Sequence, residues 1–320
     1  MKRILVTGAN GFIGSYLMPA LQRHSYISRG STRSDDIQID PQINDYVCVG
    51  EIGPNTDWDK ALSGIHAVIH LAARVHIMRE NSSDPLDAYR RVNVLGTSRL
   101  AEQAIEKGVK RFIYLSSIKV NGEQTPHSPF TEDDKPAPAD PYGQSKLEAE
   151  LRLKELSRHS DMEVVIVRPP LVYGPGVGGN FMRLIKLVEH GYPLPLASIR
   201  NARSMVSLQN LTDFLITCLE HPRAAGETFL VSDGIDWSTP DMIHAIAKAL
   251  GVPERLFPIP VPLLQAMGRL LGQGESITRL SQSLLVDISK SRDLLGWEPQ
   301  QSHSDAISQT VEDYLSQQNA

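Results

Sequence analysis

In "PYGQSKLEAE" (141–150), Tyr142 stands four residues before Lys146. The preceding "PADP" is a turn-forming run that opens a helix at about this point. Residues i and i+4 share a helix face, so the Lys146 ammonium can sit beside the Tyr142 ring. A neighbouring cation favours the phenolate and lowers a pKa that starts near ~10. A phenol so tuned can act as general acid or base near neutral pH. Ser117 closes the apolar run "RFIYLSS" (111–117), and its hydroxyl could hydrogen-bond the same substrate oxygen as the tyrosine. The chain has nine tyrosines, so the Tyr-x-x-x-Lys spacing alone is weak. Its placement at a helix start, opposite a serine at a strand end, gives it weight.

A second constellation lies at the start of the chain. "ILVTGANGFIG" sets Gly8, Gly11 and Gly14 directly after an apolar strand and at the mouth of a helix. Glycine is needed there for a tight turn and for close approach of backbone to a pyrophosphate, which the helix N-terminus then binds. Three glycines in this setting predict dinucleotide binding. Versions that grip NAD end the second strand in an acid; counting from the glycine loop puts Thr32 at that place, followed by Arg33. An arginine there can pair with a ribose phosphate, which favours NADP(H). NAD(H) stays open if Asp35 or Asp36 is the ribose acid. Glu51, in "CVGEIG", is placed to reach the adenine edge, or else is a solvated loop acid.

The elements that must position these groups follow from periodicity. "RILVTG" (3–8), "DYVCVG" (45–50), "HAVIHLAA" (66–73), "RFIYLSS" (111–117) and "EVVIVRP" (163–169) read as strands buried on both faces. Helical patterns fill 12–23, 86–107 and 142–158, with Gly108 as a helix-terminating glycine. This alternation predicts an α/β fold with a doubly wound parallel, Rossmann-like sheet. Beyond about residue 170 the texture changes. "RPPLVYGPGVGGN" (168–180) reads as a long ordered loop, followed by helices at 181–190 and 208–220, a strand at 227–233 and a helix capped at Ser238 or Thr239. The expected division is a dinucleotide domain of 1–172 with 204–234, and a smaller, mostly helical substrate lobe of 173–203 with 235–320.

Composition narrows the class. The 320 residues are 41% hydrophobic with net charge −5 and no basic stripe, which argues against nucleic-acid partners. Two cysteines, Cys48 and Cys218, lack metal-ligand spacing and are expected to be buried thiols of a reduced, cytoplasmic compartment. No metal site is expected. No apolar stretch reaches the ~18 residues of a membrane span.

Together, "TGANGFIG", "HLAA" (70–73), "NVLGT" (93–97), "LSS" (115–117), "YGQSK" (142–146) and "RPPLVYGPG" (168–176) resemble the extended short-chain dehydrogenase/reductases, in their nucleotide-sugar epimerase/dehydratase branch. The resemblance spans nearly the whole chain. It implies Ser117, Tyr142 and Lys146 as a catalytic triad, with hydride passing to or from a nicotinamide at sugar C4. It also implies cofactor contacts from Gly8, Gly11, Phe12, Ile13, Gly14, Arg33, Glu51, Ile52, Leu71, Ala72, Ala73 and Asn93. Tyr142 and Lys146 would touch the cofactor as well. For a UDP-sugar substrate it implies Arg74, His76, Ser117, Asn180, Phe181, Arg203 and Arg279, and a homodimer as the assembly. His70 reads as a packed strand residue, and the stripe Val92, Leu95, Leu100, Ala104 as helix core or a dimer face.

Departures from the family pattern matter. Ile118 and Lys119 replace the Asp-Glu pair of the 4,6-dehydratases, and Leu171 replaces an asparagine that touches the nucleotide diphosphate. Thr32 with Arg33 then favours a reductase that exchanges NADPH, acting on a UDP-4-keto-6-deoxy-N-acetylhexosamine for cell-surface polysaccharide. The alternative is a UDP-glucose or UDP-GlcNAc 4-epimerase that retains NAD. A non-catalytic dinucleotide sensor is the competing class, against which stands the intact triad.

Overall fold

The computed structural model describes residues 1–34, 45–75, 84–270, 272 and 274–318. Within them the strands are β1 (Arg3–Thr7), β2 (Ile27–Thr32), β3 (Tyr46–Cys48), β4 (Ala67–His70), β5 (Arg111–Leu115), β6 (Glu163–Arg168), β7 (Leu171–Tyr173), β8 (Arg203–Ser207), β9 (Thr228–Leu230) and β10 (Asp236–Trp237). The first four helices are α1 (Phe12–Arg23), α2 (Asp59–Leu62), α3 (Pro85–Tyr89) and α4 (Thr97–Glu106). Next come α5 (Pro141–Arg158), α6 (Gly179–Glu189), α7 (Leu208–Glu220) and α8 (Thr239–Leu250). The chain closes with α9 (Val261–Leu270), α10 (Gly274–Ser281), α11 (Ser289–Leu295) and α12 (His303–Gln318).

Side-chain alternation along the strands sets the layers. Ile4 and Val6 of β1 pack with Leu17 and Leu21 of α1 and Leu211 and Leu215 of α7. Leu5, between them, packs to the opposite side with Leu100 of α4 and Ala149 and Leu153 of α5. Strands buried on both faces are the reason their sequences read as continuous apolar runs. The sheet order is β3-β2-β1-β4-β5-β6-β9, every pair parallel. The order reverses between β1 and β4, and the crevice at such a switch point is where doubly wound sheets bind ligands. This is the expected Rossmann-like α/β architecture.

A third apolar cluster joins Tyr173, Phe181, Ile185 and Val188 to Met242, Ile243 and Ile246 of α8 and Ile307, Val311 and Tyr314 of α12. It forms the smaller, mostly helical lobe.

Three local expectations change. The 168–180 segment is not loop throughout, because β7 within it pairs with β8, which in turn pairs with β10. The helix expected over 86–107 is interrupted by a π-helical stretch, Arg90–Gly96. Gly96 is required inside it: a Cβ there would lie 2.5 Å from Cγ2 of Ile52. Cys48 is exposed, whereas Cys218 is buried as expected. The reason is position, since Cys48 ends the three-residue edge strand of the sheet. Among the described residues no helix is long and apolar enough to cross a membrane.

Candidate active site

The glycine loop leaves β1 through Gly8 at φ +67°, a left-handed turn that favours glycine. A Cβ on Gly14 would stand 2.2 Å from the Gly8 carbonyl oxygen, and one on Gly8 would stand 3.1 Å from Ala72 Cα. Gly11 caps α1 without offering a side chain to the first-turn N–H groups. The loop is thus a close-packed cradle with a bare helix N-terminus, which fits a dinucleotide pyrophosphate. Phe12 and Ile13 open α1, and Phe12 packs partly against the smaller lobe. Gly14→Ala is expected to destabilise the fold by about 1–3 kcal/mol through overpacking and to reduce retained dinucleotide. Denaturant midpoints and the cofactor content of purified protein would check both.

The remaining cofactor candidates fall along the same sheet edge. Thr32 closes β2, and Arg33 follows it exposed. Asp35, Asp36 and His76 lie outside the described residues. Glu51 is exposed after β3, beside a cavity of about 250 Å³ that Ile52, Thr56 and Arg91 also line. Leu71, Ala72 and Ala73 follow the end of β4, where the backbone of Leu71 and Ala72 lies against Gly8. Asn93, in the π stretch, is buried, and its amide is taken up by protein. Its Oδ1 accepts from Arg74 N–H at 2.8 Å, while Nδ2 donates to the Arg74 carbonyl and to Ser145 Oγ. It clamps the segment after β4 to α5.

His70 does more than pack. Its Nδ1 lies 2.6 Å from Thr7 Oγ1 and its Nε2 2.9 Å from Thr97 Oγ1, while Thr7 Oγ1 also accepts from Ala72 N–H. A neutral ring satisfies all three contacts, since each threonine hydroxyl can donate to or accept from the imidazole. Burial, with Lys146 nearby, pushes His70 down to about 3 and keeps it neutral.

The triad candidates meet where α5 crosses the end of β5. Asp140 caps α5 by accepting from Gly143 N–H at 2.7 Å, and its other oxygen pairs with Lys119. Ser117 begins the 3₁₀ turn after β5 and accepts from Lys119 N–H. The Lys146 ammonium is buried, donates to the Leu115 carbonyl at 2.8 Å, and lies 4.6 Å from the Tyr114 ring centroid and 5.8 Å from that of Tyr142. Burial lowers Lys146 to about 7, against a smaller upward pull from Glu150. Tyr142 departs from expectation. Its enclosed setting, then the Asp140 charge, push the phenol up, although part of the ring reaches solvent and a Ser117 hydrogen bond pulls it down. Lys146, 5.8 Å from the ring centroid, does not offset this upward push.

The substrate candidates divide. Arg203 and Arg279 converge, with Arg203 Nη1 donating to the Arg279 carbonyl at 2.9 Å. The same nitrogen donates to the Gln282 carbonyl at 3.1 Å. Burial lowers the Arg203 pKa, Glu123 pulls it back up, and the charge of Arg279 lowers it again by less. Arg74 stands over the Tyr89 ring, which in turn meets Tyr142 edge-on. Asn180 is exposed in the first turn of α6. The ring of Phe181 is buried and stacked on Tyr173, so only its backbone is left to face a ligand. Ile118 is core, and Lys119 is paired with Glu123 and Asp140, so neither offers dehydratase acid–base chemistry.

Three polar residues that the sequence does not mark as functional close beneath the triad: Ser116, Glu150 and Arg168. Ser116 Oγ donates to Glu150 Oε1 at 2.5 Å, and Arg168 grips the same carboxylate with Nε at 2.9 Å and Nη2 at 2.5 Å. Glu150 alone carries a local signal, since it follows Lys146 by four residues on one helix face.

This chain belongs to the NAD dependent epimerase/dehydratase family, whose model matches residues 4–232. It is 45% identical over 321 residues to a UDP-glucose 4-epimerase of Vibrio cholerae, covering 99% of this chain and 97% of the relative. A UDP-glucose 4-epimerase of Mycolicibacterium smegmatis is 30% identical, with 97% of each chain covered. Among solved structures, the UDP-glucuronic acid 4-epimerase of Bacillus cereus in complex with NAD superposes with a TM-score of 0.79 at 26% identity, covering 99% of this chain and 100% of that one. The protein is therefore an enzyme of a family that acts on nucleotide sugars with NAD.

Proposed function

We propose that this protein is a UDP-hexose 4-epimerase that retains NAD and interconverts UDP-glucose, or UDP-GlcNAc, with its C4 epimer. The observation that carries this reading is the 45% identity, sustained over 99% of the chain, to a UDP-glucose 4-epimerase. It displaces the 4-keto reductase as the first reading.

In this proposal Tyr142 takes the proton of the sugar C4 hydroxyl and later returns it, with Ser117 holding the same oxygen. Bound oxidised nicotinamide supplies the hydride acceptor and a positive charge that favours the phenolate. Lys146, tied to the Leu115 carbonyl, would offer its remaining N–H donors to the nicotinamide ribose. The glycine loop with Gly8, Gly11 and Gly14 would hold the pyrophosphate, and Glu51 the adenosine end. Residues 173–203 and 235–320 would form the sugar-nucleotide lobe, closing on a dinucleotide domain of 1–172 and 204–234. Arg203 and Arg279 anchor the diphosphate, so that the keto sugar can turn over while the nucleotide stays fixed. Arg203→Met is expected to raise KM for UDP-glucose about 10–100-fold with kcat largely kept, as loss of charged hydrogen bonds predicts. Steady-state kinetics would separate the two. Of the stripe expected as helix core or dimer face, Leu100 and Ala104 are buried core; exposed Leu95, at 49%, with Leu151 of α5 at 60%, supports a homodimer.

The reductase remains a second reading, favoured by one feature: β2 ends in Thr32 and is followed by Arg33 rather than by an acid. Acid release and identification of the bound dinucleotide tests the choice. Stoichiometric NAD supports the epimerase, and NADP(H), or none, returns weight to the reductase.

A further inference from the structure

We infer that Ser116, Glu150 and Arg168 form a positioning unit that sets the Ser117 hydroxyl against Tyr142. The inference rests on the proposed roles of those two residues.

Ser117 is fixed from both sides by this unit. Before it, Ser116 Oγ donates to Glu150 at 2.5 Å and Ser116 N–H donates to the Val167 carbonyl at 2.7 Å. After it, Ile118 N–H donates to the Pro169 carbonyl, and Asn121, which ends the 3₁₀ turn, accepts from Arg168 Nη1 at 2.9 Å. One face of α5 runs along the same segment. Tyr142, Lys146 and Glu150 follow one another at i, i+4 and i+8. Lys146 reaches the Leu115 carbonyl and Glu150 reaches Ser116, on the segment that carries Ser117, which in turn pulls the Tyr142 phenol down. The helix that carries the phenol and the strand end that carries the serine are thus zipped together at successive turns. Glu150 and Arg168 are 1% and 3% exposed. An ion pair so deeply buried is expensive to desolvate, and packed apolar side chains often serve stability as well. A carboxylate gripped by two donors from one side leaves its remaining acceptor capacity aimed at Ser116, which apolar packing would not provide.

Misplacing a reacting group by a fraction of an ångström to an ångström costs up to about 10²-fold. Ser116→Ala, which keeps the ion pair, is therefore expected to lower kcat on UDP-glucose about 10-fold or more while KM changes less than about 2-fold. In a Ser117→Ala background the same substitution is expected to have no further effect, because the group it positions is gone. A second readout needs no turnover. In dinucleotide-loaded protein the Tyr142 phenolate, followed by ultraviolet difference titration against Tyr142→Phe, is expected to titrate higher in Ser116→Ala, as in Ser117→Ala. The groups facing Tyr142 otherwise, Asp140, Lys146, Tyr89 and Tyr114, are unchanged in these variants. Wild-type kcat and titration in Ser116→Ala would overturn the inference, as would an undiminished loss in the Ser117→Ala background. If wild-type protein lacks epimerase activity, the proposed function fails, and the titration still decides this inference.

Discussion

Tyr142→Phe is expected to lower kcat by about 10²–10⁴-fold, the range for a lost general acid–base group, while leaving KM and retained dinucleotide nearly unchanged. The ring stays, so its edge-on contact with Tyr89 and its place at the start of α5 persist. Only the phenolic oxygen leaves, and with it the group able to exchange a proton at C4. Burial and Asp140 raise this phenol's pKa in the cofactor-free protein. A positive charge brought beside the phenol, as an oxidised nicotinamide would supply, is expected to lower it towards the range where it serves as base. Cofactor-free protein should accordingly show Tyr142 protonated through neutral pH, and NAD-loaded protein should titrate it lower. An ultraviolet titration of both forms checks the sign.

Glu150→Leu is expected to destabilise the protein by about 3–5 kcal/mol, because it leaves the Arg168 guanidinium charged and unpaired in the interior. The double variant Glu150→Leu with Arg168→Met should recover most of that loss, since an apolar pair of similar volume replaces the ions. Its activity should stay low even so, because Ser116 and Asn121 would no longer be held. Denaturant unfolding of the single and double variants measures the first claim. Equal stabilities for the two would contradict it.

Much of the site was legible because its chemistry demands particular residue types. Gly8, Gly11 and Gly14 are read from the turn and the helix mouth, and the packing distances show what a side chain would strike. Tyr142 and Lys146 share a helix face by spacing alone. β2 was harder to read as a strand: "ISRGST" is polar, yet Ser28, Ser31 and Thr32 are buried, and Gly30 is needed to admit the Tyr46 ring. The exposure of Cys48 depends on sheet order, which residue pattern does not carry. The close approach of Ile52 to Gly96, within the π stretch, is a tertiary contact that local pattern does not carry. The raised phenol of Tyr142 was missed for a similar reason. Spacing identifies the neighbouring cation but not the burial that outweighs it. The buried trio Ser116, Glu150 and Arg168 comes from three separate segments, and only Glu150 carries a local signal.

The most direct measurement is to give the purified protein UDP-glucose alone, with no added nicotinamide, and follow the sugar nucleotide. Formation of UDP-galactose up to an equilibrium mixture, with no net change in reduced nicotinamide, is the result a retained-NAD epimerase predicts. No interconversion of UDP-glucose or UDP-GlcNAc, together with stoichiometric consumption of NADPH on a UDP-4-keto-6-deoxy sugar, would contradict it and establish the reductase.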